Sequence, residues 1–323
     1  MNEGFDISVL MTTHNRCTLL AEALKSLLNQ EPGGPSYEVI IVDNNSTDQT
    51  RQTIESFIQG GHSNLRYVFE PRQGISYGRN AGITHALAPI IAFTDDDVLV
   101  ATNWISNIKK ALDEHSEVDF AGGKILPRWP HEPPSWLTRN HWWPLALLDA
   151  GDDPFYVNAA NPMVLPTANA AFRREVFSRV GLFSTAFSGR EDHELILRLW
   201  REGRQGLYEP TIVVTADVQP ARMTKSYHHR WNYMTGKFNS MMRLNEFIGA
   251  DGSLMERPTN GRTIFSVPTY MYRQLMSEGL HWCRTLSRES DRLQHENQIY
   301  YLIGYITKRL EKKKEITDSD PTA

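Results

Sequence analysis

The sequence reads ISVLMTT at residues 7–13, EVIIVD at 38–43 and IIAFTDDD at 90–97. Each stretch is a short apolar, β-branched run that ends on hydroxyl or carboxylate side chains. Continuous apolar runs of this length are typical of strands that are buried on both faces of a parallel sheet. Segments with apolar residues at helical spacing separate these runs, and alternating strands and helices form parallel sheets with right-handed crossovers. We therefore predict an α/β fold with a mostly parallel sheet.

Predicted helices and strands continue along the rest of the chain. Strands are expected at residues 7–11, 38–42, 65–69, 90–93, 168–172, 205–208 and 212–215. Helices are expected at residues 18–28, from the turn and N-cap at 44–47 to about 58, and at 77–86, 104–112, 174–180, 192–202, 231–247, 269–286 and 294–312. This order predicts a sheet domain over residues 1–225, flanked by its own helices, and a helical C-terminal region over residues 226–323.

Residues 127–165 differ in composition from the rest of that domain. They contain closely spaced prolines, which oppose regular helices and strands. They also contain four tryptophans: Trp129, Trp136, Trp142 and Trp143. Loops this long are usually either functional or disordered, and the tryptophans favour an ordered loop that lies over the sheet.

Charge and composition exclude several classes of protein. The formal net charge of −4 gives no general attraction to nucleic acid. No stretch of about 18 apolar residues is expected to span a membrane, and the acidic N-terminus lacks the pattern of a signal peptide. Cys17 and Cys283 lie far apart, which is typical of two free thiols in a reducing compartment. We therefore expect a cytoplasmic protein.

Polar side chains follow three of the predicted strands. Thr12 and Thr13 follow the first strand, Asp43 follows the second, and the three aspartates at residues 95–97 follow the fourth. In an open parallel sheet, ligands bind beyond the carboxyl ends of the strands. These side chains are therefore expected to share one edge of the sheet.

The three aspartates at residues 95–97 can be interpreted in two ways. Adjacent carboxylates repel one another unless a positive charge compensates them. Mg²⁺ and Mn²⁺ prefer oxygen ligands, and Mg²⁺ often combines one or two carboxylates with substrate phosphates. The motif therefore fits a divalent cation site, and the alternative is a solvated acidic turn. The spacing of an EF-hand calcium loop is absent.

Two further features also have a functional and a structural interpretation. Glu191 and Asp192 begin a predicted helix, where acids commonly complement the helix dipole. A carboxylate that is fixed there and faces a cation could also act as a general base. Arg79 lies near the start of another helix, which suits a phosphate ligand, although a surface arginine explains it equally well.

Taken together, the motifs resemble the family 2 inverting glycosyltransferases of the GT-A fold. The matching segments are SVLMTTHNR at 8–16, VIIVDNNSTD at 39–48, GISYGRNAG at 74–82, FTDDD at 93–97, ANAAFR at 168–173, and Glu191-Asp192 with Leu195 and Arg198. Each motif is weak alone, but their order over about residues 5–205 is specific. The resemblance implies a Rossmann-like GT-A domain that transfers a sugar, with inversion, from a nucleoside-diphosphate sugar to an acceptor hydroxyl.

The resemblance also implies roles for individual residues. The implied donor-binding residues are Thr12, Thr13, Asn15, Arg16, Asp43, Arg79, Asp95, Asp96 and Asn169. Asp95 and Asp97 are the outer members of a D-x-D motif that would hold Mn²⁺ or Mg²⁺, and Asp192 matches the catalytic base. Apart from the resemblance, flat aromatic rings pack well against sugars, so Trp129 and Trp136, with Glu191, are candidates for contact with the acceptor; the alternative is that the tryptophans hold the loop on the core.

One segment departs from the family pattern. Members of the family often have a histidine after the last core strand that touches the metal, whereas this chain has TADV at residues 215–218. His228 comes later, and a lone histidine is more often structural, so it is a weak candidate for a ligand or phosphate contact. A third metal ligand from the protein is therefore in doubt.

Two other functions remain as alternatives. A sugar-nucleotide nucleotidyltransferase would need a glycine-rich loop where this chain has TTHNR at residues 12–16. A non-catalytic nucleotide-sugar-binding module would be expected to lose the D-x-D motif or the Glu191–Asp192 pair, and both are present. A dinucleotide oxidoreductase is disfavoured because no G-x-G-x-x-G follows a strand.

The expected partners follow from the resemblance and from the C-terminal composition. The donor is expected to be a UDP-sugar, and the acceptor a saccharide or lipid-linked saccharide of bacterial polysaccharide or glycoconjugate synthesis. Aromatic and basic residues mix after residue 231, which suits peripheral contact with anionic lipid at the inner face of the plasma membrane. Acidic residues interrupt any basic face, so packing on the catalytic domain or homodimer formation is the alternative.

Overall fold

A computed structural model describes residues 4–187, 189–243, 262–285 and 288–318. The chain divides into two compact units. The sheet unit comprises Met1–Arg128 and Ala146–Asp217, and the helical unit comprises Trp129–Leu145 and Val218–Ala323. The middle of the predicted loop, at residues 129–145, thus belongs to the helical unit. The predicted division at residue 225 stays a prediction.

In the described part of the sheet unit, nine strands form one sheet. They are β1 (Ile7–Thr13), β2 (Tyr37–Asp43), β3 (Leu65–Phe69), β4 (Ile90–Asp95), β5 (Val98–Val100), β6 (Phe120–Arg128), β7 (Phe155–Val157), β8 (Asn169–Arg173) and β9 (Gly206–Asp217). The order is β3-β2-β1-β4-β8-β6-β9-β5, and β7 pairs with β9. Strands β1 to β4 run parallel, as do β6 and β9, whereas β5, β7 and β8 pair antiparallel. The predicted mostly parallel α/β sheet is confirmed.

Six helices accompany this sheet in the described residues. They are α1 (Cys17–Leu28), α2 (Thr50–Gln59), α3 (Ile75–His85), α4 (Trp104–Glu114), α5 (Glu175–Arg179) and α6 (Glu191–Arg201). In α1, Leu20, Leu24 and Leu27 recur at helical spacing and are fully buried. Burying one leucine side chain contributes about 1.5–3 kcal/mol to folding, so such faces hold the helices on the sheet.

The sheet contains strands that the sequence pattern did not predict. Strand β6 was missed because its sequence, FAGGKILPR, contains two glycines and a proline and has no strand periodicity. Strand β9 is continuous where two strands were predicted. It passes through Pro210 because the ladder with β6 shifts register between Gly122 and Lys124. The short strands β5 and β7 were also missed.

The helical unit contains three long helices and a small hairpin within the described residues. They are α7 (Lys225–Met242), β10 (Thr263–Ile264), β11 (Val267–Pro268), α8 (Thr269–Arg284) and α9 (Glu289–Asp318). The proline-rich segment adds two 3₁₀ turns, Arg139–His141 and Trp143–Leu145, so the prediction of a loop without regular structure was wrong there. Helices α7 and α9 begin earlier than predicted, and predicted helical residues 244–247 lie outside the described residues. No described helix is long and apolar enough to cross a membrane.

Helices α7 and α9 pack through direct backbone contact. A Cβ atom at Gly236 would lie 2.0 Å from the carbonyl oxygen of Tyr301. A Cβ atom at Gly304 would likewise lie 2.0 Å from the carbonyl oxygen of Tyr233. Neither contact is physically allowed, so both glycines are needed for the two helices to approach this closely.

We expect Gly236→Ala to lower the free energy of unfolding by about 1–3 kcal/mol, because the added methyl group forces the backbones of α7 and α9 apart. Gly279→Ala is the matched control, since a Cβ atom at Gly279 of α8 meets no atom within 4 Å. The control should be neutral or stabilising by up to about 1 kcal/mol through helix propensity. Urea unfolding measures both variants. Equal stability of the two would contradict this account of the α7–α9 contact.

Candidate functional site

The register of the sheet brings the predicted polar residues to one edge. Thr13 at the end of β1 lies opposite Asp43 at the end of β2. On the other side of β1, Thr12 lies opposite Asp95 at the end of β4. Since these strands are parallel, their carboxyl ends meet, and residues that are more than 80 positions apart in sequence become neighbours. The expected gathering at the carboxyl edge is present in the structure.

The Asp43 carboxylate is held at this edge by two hydrogen bonds. The hydroxyl of Tyr67 donates to it at 3.0 Å, and the backbone amide of Ser46 donates at 2.9 Å. Burial and the hydrogen bond to Asp43 raise the pKa of Tyr67 to about 12, so the phenolic hydroxyl of Tyr67 keeps its proton at neutral pH. Tyr67 was not among the residues predicted from the sequence. Tyr67 pairs with Ile41, two positions before Asp43, so the period of two along a strand could have identified it.

Asn15 joins the loops that follow β1 and β2. It has a positive φ of 52°. Its side-chain oxygen accepts hydrogen bonds from the backbone amides of Thr47 at 2.7 Å and Asp48 at 3.3 Å. Asn15 therefore fixes the shape of this rim of the site, and its predicted contact with the donor stays a prediction.

The aspartates at residues 95–97 are tied to the loop after β1. The Thr13 hydroxyl donates to Asp96 at 2.7 Å, and the Arg16 guanidinium donates to Asp96 at 2.9 Å and to Asp97 at 3.2 Å. Burial raises the pKa of both Asp95 and Asp96. The three carboxylates are thus held in a turn that is partly withdrawn from water, which disfavours the interpretation as a freely solvated acidic turn.

Arg79 is buried, so it is not a surface arginine. Its guanidinium pairs with Glu191 and lies 3.6 Å from the Asp95 carboxylate. Gly78 makes this position possible, because a Cβ atom there would lie 2.3 Å from the Thr12 side chain and would push α3 away from β1. The Arg79–Glu191 pair was not predicted from the sequence, because it depends on the tertiary approach of α6 to α3.

Asp192 lies in the first turn of α6, next to Glu191. Its carboxylate accepts a hydrogen bond from the backbone amide of His193 at 2.7 Å. Burial raises the pKa of Glu191 and of Asp95, and the nearby charge of Asp192 raises both further. Asp192 is therefore electrostatically coupled to the aspartate turn. Its role as a base stays a prediction.

The buried side chain of Asn169 is engaged within the fold. Its oxygen accepts from the Trp104 indole at 2.7 Å, and its amide nitrogen donates to the carbonyls of Lys124 and Ile212, both at 2.9 Å. These bonds join β8 to α4, β6 and β9. Both amide hydrogens are used inside the sheet unit, so the structure gives Asn169 a stabilising role, and its contact with a donor sugar stays a prediction.

The carboxylate oxygens at this edge are suitable ligands for a divalent cation. The clustered carboxylates are Asp95, Asp96, Asp97, Glu191 and Asp192, and the two cations among them are Arg16 and Arg79. Acids therefore outnumber cations in a buried setting, where like charges are costly. The Asp95 side chain is 35% exposed, so its oxygens can reach a ligand from solvent. An oxygen-ligated Mg²⁺ or Mn²⁺ would compensate the excess negative charge.

Trp136 and His228 lie in the helical unit and contact each other. Their rings meet edge to face with centroids 5.3 Å apart, and His141 packs against both. Trp129 contacts Trp142 in the same segment. Neither ring nitrogen of His228 has a well-formed hydrogen bond to a described residue. Trp136 therefore joins its segment to α7, and the predicted acceptor contact of Trp129 and Trp136 stays a prediction.

We expect acid to destabilise the fold through His228. Burial, helped by charge on His141 and His229, lowers its pKa from the ordinary 6.5 to about 4. Between pH 6.5 and 4 the unfolded chain therefore binds a proton at this histidine and the native chain does not. The free energy of unfolding falls as the pH drops through this range. The loss from this group is at most about 3 kcal/mol.

Urea unfolding at several pH values measures this dependence. His228→Leu should flatten it, and the remaining slope should include His141, whose pKa burial also lowers. His85→Leu, at an exposed position in α3, is the control and should keep the wild-type slope. An unchanged slope in His228→Leu would show that His228 does not carry the acid sensitivity.

Comparison with known proteins gives a consistent result. The model of the family described as Glycosyl transferase family 2 matches residues 8–181, more than half of the chain. Validoxylamine A glucosyltransferase of Streptomyces hygroscopicus subsp. jinggangensis (strain 5008) is 29% identical over 220 residues, which cover 61% of this chain and 52% of that protein. Minor teichoic acid biosynthesis protein GgaB of Bacillus subtilis (strain 168) is 32% identical over 130 residues, 39% of this chain and 14% of that protein. The chain thus matches about half the length of the first relative and much less of the second.

Two solved structures share the fold. Mannosyltransferase PcManGT from Pyrobaculum calidifontis, in complex with GDP-Man and Mn²⁺, matches with a TM-score of 0.61 at 18% identity, over 97% of this chain and 89% of that chain. S. aureus TarS 1-349 in complex with UDP-GlcNAc matches with a TM-score of 0.54 at 16% identity, over 96% of this chain and 92% of that chain. The expected GT-A fold with C-terminal helices is confirmed.

Proposed function

The chain belongs to glycosyl transferase family 2, and on that premise we propose that it transfers a sugar from a nucleoside-diphosphate sugar to an acceptor hydroxyl with inversion at the anomeric carbon. One observation carries the proposal. The partly buried turn at residues 95–97 lies at the carboxyl edge of the parallel strands beside Arg16, Arg79 and Asp192. This arrangement offers oxygen ligands for a cation, guanidinium groups for phosphate and a carboxylate for proton transfer.

The nucleoside is proposed to bind along the ends of β1 and β2. The Asp43 carboxylate is fixed by Tyr67 and Ser46, and its proposed role is to accept hydrogen bonds from the base. Thr12, Thr13 and Asn15 would complete this part of the donor site. The proposed donor is a UDP-sugar, and support comes from TarS, a structure of the same fold in complex with UDP-GlcNAc.

The diphosphate is proposed to lie beside Arg16, Arg79 and the aspartate turn. Asp95 and Asp97 would hold Mn²⁺ or Mg²⁺, and PcManGT, a structure of the same fold in complex with Mn²⁺, supports a metal of this kind. A divalent cation at this place would offset negative charge on the departing nucleoside diphosphate. Asp96 is already bonded to Thr13 and Arg16, so its proposed role is to position them.

Transfer is proposed as a single displacement. The acceptor oxygen forms a bond to the anomeric carbon while the bond from that carbon to the diphosphate oxygen breaks. Asp192 takes the proton from the acceptor hydroxyl, and the nucleoside diphosphate leaves with the bonding electron pair. Glu191 forms an ion pair with Arg79, so the proposed function of Glu191 is to hold that guanidinium beside the diphosphate. Attack from the face opposite the leaving group inverts the anomeric configuration.

The acceptor is proposed to be a saccharide or a lipid-linked saccharide of bacterial polysaccharide or glycoconjugate synthesis. GgaB, a relative over 130 residues, is named as a teichoic acid biosynthesis protein, which supports this class. We assign the catalytic domain to residues 1–225 and the acceptor-side segment to residues 127–165. Peripheral contact with anionic lipid, at the inner face of the plasma membrane, and a homodimer are proposals for residues 226–323.

A donor screen tests the proposed function. UDP-, GDP- and dTDP-sugars are added with Mn²⁺, and the midpoint of thermal unfolding is recorded, since a ligand of the native state raises it. We expect UDP-sugars to give the largest shift and to be converted to free UDP when the correct acceptor is supplied. Protection by the sugar nucleotide without turnover on any acceptor would favour a binding module. Formation of a sugar nucleotide from a nucleoside triphosphate would favour a nucleotidyltransferase.

A further inference from the structure

Two histidines and a glutamate converge between α8 and α9. Glu278 and His281 are three residues apart on α8, so they share one face of that helix. His295 reaches them from α9, and its Nδ1 lies 2.6 Å from an oxygen of Glu278. The imidazole rings of His281 and His295 lie with their centroids 5.4 Å apart. Each residue places one potential ligand atom within 4.8 Å of the other two.

We propose that this histidine cluster (Glu278, His281 and His295) binds one Zn²⁺ ion that links α8 to α9. Two neutral imidazoles and one carboxylate are a ligand set that Zn²⁺ uses, and the fourth position is left for water. In tetrahedral geometry, with Zn–N near 2.1 Å, ligand atoms lie about 3.4 Å apart. In the structure the three ligand atoms lie within 4.8 Å of one another, which brackets that distance together with the 2.6 Å between His295 and Glu278.

Neighbouring contacts hold the two helix faces together beside the cluster. Glu296, which follows His295 on α9, accepts a hydrogen bond from the indole of Trp282 at 2.9 Å. Glu296 also lies 3.0 Å from the ring nitrogen of His229 on α7. Trp282 follows His281 on α8, so each ligand-bearing segment is anchored one residue away from its ligand. This anchoring reduces the conformational entropy that metal binding would cost.

The ligand chemistry separates this site from the aspartate turn. Mg²⁺ prefers oxygen ligands, whereas imidazole suits Zn²⁺, Cu²⁺ and Ni²⁺. Zn²⁺ at the histidine cluster would replace the hydrogen bond between His295 and Glu278 with a bond from each residue to the ion, and the proton on Nδ1 of His295 would move to Nε2 or be released to water. The site is remote in sequence from residues 95–97. Its proposed role is to stabilise the contact between α8 and α9 in the helical unit, and it has no proposed part in sugar transfer.

The test is titration of the full chain with Zn²⁺ by calorimetry, and with Co²⁺ as a spectroscopic probe of imidazole ligation. We expect a site in the wild type that Asp97→Asn keeps, with visible Co²⁺ absorption bands of tetrahedral or five-coordinate geometry. His281→Ala and His295→Ala should each weaken binding by more than about tenfold. The matched control is His115→Ala, because His115 also pairs with a glutamate, Glu117, and should leave the titration unchanged.

Two further measurements make the outcome decisive. Zn²⁺ should raise the midpoint of thermal unfolding of the wild type, and this rise should vanish in His281→Ala, whose unfolding without metal shows that it still folds. Asp97→Asn should keep full Zn²⁺ binding, so a failure of the glycosyltransferase proposal would not affect this one. Zn²⁺ binding that survives both histidine substitutions when they are made in the Asp97→Asn background, or the absence of Zn²⁺ binding in the wild type, would overturn the proposal.

Discussion

Asp192→Asn is expected to lower the transfer rate by about 10²–10⁴-fold, the usual contribution of a general base, while donor affinity changes little. The substitution keeps the size of the side chain and its ability to accept the His193 amide, but it removes the basic carboxylate. Because the base acts on the acceptor proton, the loss should appear in kcat and in kcat/KM alike. Donor affinity is measured separately by titration with the nucleoside diphosphate.

The matched control for this prediction is Glu194→Gln. Glu194 is another acid in the first turn of α6, and its carboxylate pairs with Arg198 at 2.8 Å. The control tests whether loss of any acid from this turn impairs the enzyme, and we expect its transfer rate to stay within a few fold of wild type. If Asp192→Asn loses donor affinity and keeps its turnover, Asp192 is a binding residue and the proposed base is wrong.

Asp97→Asn is expected to reduce transfer by at least about 10²–10³-fold, as is typical when a group that stabilises developing negative charge is removed. The reason is that Asp97 is a proposed ligand of the cation that compensates the diphosphate. Wild-type protein in excess chelator should show the same loss and recover when Mn²⁺ is restored. Initial rates at several Mn²⁺ concentrations measure the metal requirement of both proteins.

Asp113→Asn serves as the control for that substitution. Asp113 is an exposed aspartate on α4 that pairs with Lys109. Its neutralisation changes the net charge of the chain by the same amount as Asp97→Asn, so both variants share any general electrostatic effect. We expect unchanged transfer and an unchanged metal requirement. Full wild-type activity in excess chelator would rule out the metal-dependent mechanism.

The sequence was sufficient for strands β1 to β4 and β8, predicted β9 in two pieces, and was insufficient for β5, β6 and β7. Strands β1, β2 and β4 are continuous apolar runs, so local pattern and burial agree. Strand β6 is defined by pairing with β8 and β9, which are more than 40 positions away along the chain. Its glycines and proline oppose a strand locally, and only these non-local pairings stabilise it.

The site shows the same division between topology and packing. Strand topology alone predicted that Asp43 and the aspartates at residues 95–97 would meet, because all of them follow parallel strands. The Arg79–Glu191 pair could not be predicted, since it depends on how α3 and α6 pack. The spacing of Glu278 and His281 is visible in the sequence, but the approach of His295 depends on the packing of α8 against α9.

Titration of UDP by calorimetry shows whether the carboxyl edge binds a nucleoside diphosphate together with a divalent cation. We expect Mn²⁺ to tighten UDP binding to the wild type by at least about tenfold, about 1.4 kcal/mol. Asp95→Asn and Asp97→Asn should bind UDP with the same weak affinity whether or not Mn²⁺ is present. If Mn²⁺ changes neither the affinity of the wild type for UDP nor its affinity for GDP, the proposed metal-assisted donor site is wrong. It is equally wrong if the effect of Mn²⁺ survives both substitutions.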